Sequence, residues 1–205
     1  MTSNLLSSSA LDEETARAEI YGLLAQLFYQ VPSPDLLAQM RVAVTDAPVA
    51  GGFLEEPWRQ VVAATRSGSD EDIANEYNSL FGGVGKPEIY LYASHYVSGF
   101  LNDKPVARLR EDLKALGLER DDSMSETEDH FACLCEVMRY LIAGDDVLVS
   151  NLTHQRDFFG AHIQPWAQEM TETIAKHPKA QFFGALGEFT NAFLGIEAQG
   201  FDLLT

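Results

Sequence analysis

The chain has only two cysteines, five histidines and 14 lysines and arginines among 205 residues. Each scarcity removes a class of protein. The cysteines, Cys133 and Cys135, stand two apart, and side chains two apart on a helix point to different faces, so they do not bridge each other. A disulfide scaffold is excluded, and a reducing compartment fits. His95, His154, His162 and His177 show no ligand-type spacing with His130, which leaves a metal centre short of ligands. No phosphate-binding glycine loop, strand-type alternation or internal repeat is present. No apolar run approaches the ~18 residues of a membrane span. Met1 to Ser9 has neither the basic start nor the long apolar core of a signal peptide. A cytoplasmic location is therefore expected.

What the chain has in excess is acid. Its 31 aspartates and glutamates give a formal charge of −17. That argues against nucleic acid and anionic membranes, and for plain solubility or a cationic partner. An apolar fraction of 46% is ordinary for a globular protein with a sizeable core, and the length suits one domain, residues 1–205, with room for a hinge.

Helical periodicity predicts an all-α, single-domain bundle of about eight to ten helices. Residues 1–9 read as loose, and a first helix runs from about Asp12 to Gln30 with Ala16, Ile20, Leu23, Leu24, Leu27 and Phe28 facing the core. Ser33 caps a short helix with Pro34 at its first position, the stretch 47–52 is a loop, and Ser69 caps a helix that ends at Tyr77-Asn-Ser-Leu80-Phe81. Helical patterning returns from His95 to Leu116 with a break near Asn102-Asp103, then over 147–160, 164–177 and 180–198. Residues 82–94 form a glycine- and proline-broken connection that carries Ile89, Tyr90, Leu91 and Tyr92. A loop this long and aromatic is either functional or packed flat on the core.

The most organised polar chemistry lies at 126–142. The spacing predicts one helix from Glu126 to Ile142, capped by Ser125 or Ser123, stopped by Gly144, and preceded by a charged hinge at 118–125. Phe131, Leu134, Cys135, Met138, Leu141 and Ile142 form its apolar face, and Glu126, Asp129, His130 and Cys133 fall on another. Three readings are open. The acids offset the helix dipole and bond His130 locally; or Glu126, His130 and Cys133 bind a metal; or the cluster holds the cationic part of a partner.

Two stretches resemble one known family. Tyr77-Asn-Ser-Leu80-Phe81-Gly82, followed by Pro87 and the tyrosine-rich loop, resembles the aromatic-x-x-Leu-Phe motif and proline/aromatic loop of the TorD/DmsD chaperones of molybdenum enzymes. Glu126-Thr-Glu-Asp129-His130 resembles that family's Glu-Pro-x-Asp-His motif, with Thr127 replacing the proline that stiffens the hinge. The segments 99–110 and 116–118 also look like the family, so the match covers roughly 77–142. The resemblance implies an all-helical, non-enzymatic cytoplasmic chaperone that binds the twin-arginine signal peptide of an apo molybdoenzyme and assists its maturation and cofactor insertion before export. Tyr77, Leu80, Phe81, Pro87, Tyr90, Tyr92, Glu126, Asp129 and His130 become the expected peptide contacts, with Glu128 a further carboxylate that could meet the arginines. No resident cofactor or metal is expected, although some family members handle the molybdenum cofactor or weakly bind guanine nucleotide. A faint likeness to members paired with formate dehydrogenases suggests the client, and the hinge suggests a monomer with some domain-swapped dimer. The competing readings are a metal- or nucleotide-dependent hydrolase using Asp129 and His130, and a scaffold subunit with a purely structural polar stripe.

Overall fold

A computed structural model describes residues 3–44, 52–82, 86–121 and 124–203, with side chains from Glu13 onward. Ser123, most of the 47–52 loop, Gly83, Gly85 and part of the 118–125 stretch lie outside the described residues. Among the described residues the chain is all α. Ten helices follow in order: α1 Ser3–Tyr29, α2 Pro34–Arg41, α3 Glu55–Ser67, α4 Asp70–Leu80, α5 Ala93–Ser98, α6 Lys104–Ala115, α7 Phe131–Ala143, α8 Leu152–His162, α9 Gln164–Ala175 and α10 Phe182–Asp202.

The local signals act as their chemistry requires. Ser33 accepts from the Leu36 amide with Pro34 opening α2, and Ser69 forms a reciprocal capping box with Asp72 at the start of α4. Gly99 and Gly117 take left-handed backbone, φ 78° and 73°, at the ends of α5 and α6. Two expectations change. The first helix begins at Ser3, because no glycine or proline interrupts residues 3–21. Its buried stripe is Ala18, Tyr21, Leu24, Ala25, Leu27 and Phe28, whereas Ala16 is exposed. The buried face is shifted from the predicted one: Tyr21, outside that face, is fully buried, while Ile20 and Leu23 are half-buried.

Contacts group the chain into two compact units interleaved in sequence. The first comprises residues 1–29 and 92–165, so the 118–125 stretch lies inside it. There α1 packs along α7, with α8 against α7 and α5 against α6. Phe28 meets Phe131 edge-on at 5.3 Å, and a Cβ on Gly22 would come within 2.9 Å of the Arg139 side chain, so this helix pair is close. All six predicted apolar residues of α7 are buried. At about 1.5–3 kcal/mol for each large side chain, this interface is a principal source of the unit's stability.

The second unit comprises residues 30–91 and 166–205. Here α10 packs on α3 and α4, and α2 on α3. Trp58 meets Phe189 at 5.6 Å, and a Cβ on Gly187 would lie 3.0 Å from the Thr171 carbonyl oxygen, which brings α10 close to α9. The Glu76 carboxylate reaches from α4 to the start of α10 and accepts the amides of Gln181, Phe182 and Phe183 at 2.8, 3.1 and 2.8 Å. These are orphan donors of a helix whose own N-cap, Gln181, makes no side-chain cap bond.

Candidate functional site

The predicted helix over 126–142 is five residues shorter at its start. It opens at Phe131, and His130 is its N-cap in extended conformation, φ −63° and ψ 135°. The His130 ring nitrogen Nδ1 accepts the Ala132 amide at 3.2 Å, so the neutral ring carries its proton on Nε2. Upstream, residues 127–130 form a turn closed by the His130 amide on the Thr127 carbonyl at 3.0 Å. Ser125, expected as a cap, instead pairs with Tyr29, whose hydroxyl accepts its amide at 3.3 Å. Glu126, Asp129, His130 and Cys133 therefore do not form a helical stripe. They are gathered by a turn and one helix start.

The turn is anchored to α5 by an isolated antiparallel bridge between Tyr92 and His130. The Asp129 carbonyl accepts the Ala93 amide at 3.0 Å, and its carboxylate oxygen Oδ2 accepts the Ser94 amide at 2.9 Å. Tyr92, the N-cap of α5, makes no side-chain cap bond, so Asp129 caps that helix from outside. Its other carboxylate oxygen accepts the Thr127 hydroxyl at 2.6 Å. Proline, which the resembling motif carries at this position, has no hydroxyl, so Thr127 adds a tie of its own. Asp129 is 1% exposed. In place of an Asp129–His130 bond, the carboxylate holds the Ser94 amide and the Thr127 hydroxyl, and His130 Nδ1 holds the Ala132 amide.

Glu126 is half-buried and accepts the Tyr92 hydroxyl, with Ser125 Oγ at 3.4 Å. The His130 ring meets Tyr92 edge-on at 5.0 Å and Tyr29 at 6.2 Å. Glu128, the further candidate carboxylate, accepts Nε and one terminal nitrogen of Arg110, both at 2.8 Å. Its signal was legible as a third acid within Glu126-Thr-Glu128-Asp129. Arg110 beside it holds the Glu128 carboxyl below the usual range.

Burial pushes His130 down to about 4, against the opposing pull of Glu126 and Asp129. The ring is therefore neutral near pH 7 and cannot supply a cation. Burial and the same acids push the Cys133 thiol up to about 12, and burial pushes Cys135 well above its ordinary value. Neither thiol is an activated nucleophile. Among the described residues no group of three or more histidine, cysteine, aspartate or glutamate side chains is placed to hold a metal ion.

The remaining predicted contacts fall in the second unit. Leu80 is fully buried and is core. Tyr77, Phe81, Pro87 and Tyr90 are partly exposed. Phe81, the C-cap of α4, meets Tyr77 at 5.3 Å and Phe183 at 5.1 Å. The Ile89 amide donates to the Leu80 carbonyl at 2.9 Å, which folds the loop back onto the end of α4, and Lys86 lies over the Tyr90 ring at 5.9 Å. Ile89 and Leu91 are buried, so half of the loop's apolar residues serve the core.

Comparison with known proteins adds independent findings. The family model for the nitrate reductase delta subunit matches residues 51–172. The chain is 27% identical over 194 residues to the chaperone protein TorD of Vibrio cholerae serotype O1, covering 87% of this chain and 88% of that one. It is 23% identical over 199 residues to chaperone protein TorD of Vibrio parahaemolyticus, with 89% and 93% covered. For chaperone protein TorD of Colwellia psychrerythraea the identity is 21% over 223 residues, with 92% of each covered. Among the described residues no helix is long and apolar enough to cross a membrane.

Proposed function

The chain belongs to the TorD family of chaperones, matched through the nitrate reductase delta subunit model, and on that premise we propose that it binds the twin-arginine signal peptide of an apo molybdoenzyme and assists that enzyme's maturation before export. The protein is a chaperone rather than an enzyme. The observation that carries the reading is Glu126: a half-buried carboxylate of the motif whose protein partners are hydroxyls and not cations. Such a carboxylate is open to an incoming guanidinium fork, and a charge-assisted bond in a half-buried setting is among the stronger ones available. Asp129 and His130 position the turn that presents Glu126. In the second unit Tyr77, Phe81, Pro87 and Tyr90 are the candidates to meet the apolar part of the client, while Leu80 supports them from the core. The chain's formal charge of −17 speeds encounter with a basic peptide.

Titration calorimetry tests this with a synthetic peptide carrying two arginines ahead of an apolar stretch and a twin-lysine control. The arginine peptide is expected to bind more tightly, because lysine lacks the fork. Glu126→Gln should weaken it by roughly tenfold, the effect of one bond to a charged group. Equal binding of both peptides, unchanged by Glu126→Gln, would overturn the reading. Recovery of the apo enzyme from cell extract identifies the client, for which a formate dehydrogenase is the first candidate.

A further inference from the structure

Glu128 is the carboxylate of the motif whose place is already taken. Arg110 on α6 donates from Nε and from one terminal nitrogen to the two Glu128 oxygens, both at 2.8 Å. This is the fork-to-fork geometry that a client arginine would adopt on a carboxylate. The two partners are unequal: the Glu128 side chain is 12% exposed and the Arg110 side chain 54%. Glu128 is fixed in the turn beside Asp129, whereas Arg110 reaches in from the surface and has water to return to. We propose that Glu128 is a second arginine-accepting carboxylate of the client site, and that Arg110 occupies it in the free chain as an internal stand-in, released when a client guanidinium takes its place. The inference rests on the twin-arginine reading above and names a further residue and a regulation of that site.

Three features favour exchange over a permanent ion pair. Left empty, a carboxylate at this depth would keep only its own backbone amide and the field of Arg120 against its desolvation, so an occupant stabilises the free chain. A cavity of about 420 Å³ opens beside the pair, with Leu113, Gly117 and Leu118 in its lining, an apolar bed for an arginine stem. Lys114, Glu119 and Arg120 line the same cavity. With Glu119 set against Lys114, a guanidinium added beside Arg110 and Arg120 would be a third positive charge at one carboxylate, whereas one that replaces Arg110 leaves the local charge unchanged. The consequence is a client affinity held down by competition within the chain, which suits a chaperone that must release its client.

Calorimetry with the same twin-arginine and twin-lysine peptides, on the full chain, tests the exchange. Arg110→Gln should bind the arginine peptide roughly three- to tenfold more tightly, the range of a partly exposed bidentate pair. Arg108→Gln removes the same charge from the same helix at an exposed position, and its effect should stay within about twofold because long-range charge is screened. In a Glu128→Gln background the gain from Arg110→Gln should vanish. In the natural protein, the Arg110 Nε–H resonance should shift on adding the arginine peptide, a readout independent of any variant's stability. An Arg110→Gln affinity no higher than that of Arg108→Gln, or an unmoved Arg110 resonance in a saturated complex, overturns the proposal while leaving the Glu126 result standing. Binding by Arg110→Gln where the natural protein binds undetectably supports it. Failure of both proteins to bind overturns this proposal and the client reading together.

Discussion

Two carboxylates cap helices from a distance, one in each unit, and their differences show what an acid in this chain is for. Glu76 stands on α4 and gathers three consecutive amides at the start of α10. Asp129 stands in a turn and holds two amides of α5, one by its carbonyl and one by its carboxylate, with the Thr127 hydroxyl on the remaining oxygen. Glu76 lies outside any motif of the resembling family, and Asp129 lies inside one. They are alike in holding backbone donors that cannot leave, Asp129 with the Thr127 hydroxyl besides. Glu126 and Glu128 differ from both: their partners are a tyrosine hydroxyl and an arginine, side chains that can turn away. Motif membership therefore does not set the kind of partner an acid holds: within one motif, Asp129 holds backbone amides while Glu126 and Glu128 hold side chains.

Asp129→Ala is expected to break this comparison most sharply. It orphans a buried amide and a hydroxyl at a 1% exposed site, and should lower stability by roughly 2–4 kcal/mol, measured by urea unfolding followed by circular dichroism. A loss under about 1 kcal/mol would show that water replaces the carboxylate and that Asp129 is no anchor. Glu76→Gln should cost less, about 1–2 kcal/mol, because a neutral oxygen keeps part of a cap that solvent already reaches. If it exceeds Asp129→Ala in the same assay, the ranking by burial is wrong.

The smallest effect is pH-dependent. The ordinary histidine pKa of 6.5 applies to the unfolded chain, and burial lowers His130 to about 4 in the folded one. Above about pH 6.5 both states are neutral and His130 contributes no slope. Between about 6.5 and 4 the unfolded state binds the extra proton, so stability falls as pH falls. His130→Asn keeps a capping oxygen near Nδ1 and removes the titration. Its unfolding free energy should therefore decline less between those pH values than the natural protein's, with His162, also lowered by burial, supplying the remaining histidine slope. Parallel declines would show that His130 is not neutral by burial.

Much of this fold was legible because its signals are local. Ser33 and Ser69 set boundaries within a few residues of themselves, and the apolar face of α7 follows from spacing alone. What local patterning misplaced depends on distant partners. Glu126 and Asp129 fall at helical spacing from Cys133 by coincidence, and the helix starts later because the backbone of His130 pairs with Tyr92. Leu80 and Phe81 are adjacent in one motif, yet the first is fully buried and the second partly open, and the Phe183 ring that meets Phe81 lies about a hundred residues away, invisible to periodicity. The Arg110–Glu128 fork joins α6 to the turn across 18 residues, and neither residue's neighbours announce it.

The cap on α5 also fixes an order of events during synthesis. A six-residue helix is too short to persist alone in water, and the carboxylate that closes its first turn is translated 35 residues later. At α10 the order is reversed: Glu76 is translated more than 100 residues before the amides it caps and waits for them. As each unit is assembled from two separated pieces of chain, loop closure must precede most of the stabilising contacts. The nascent chain thus leaves the ribosome with α1 uncovered until α7 is made, and for that interval a protein that shelters another's unfinished fold has its own unfinished fold exposed.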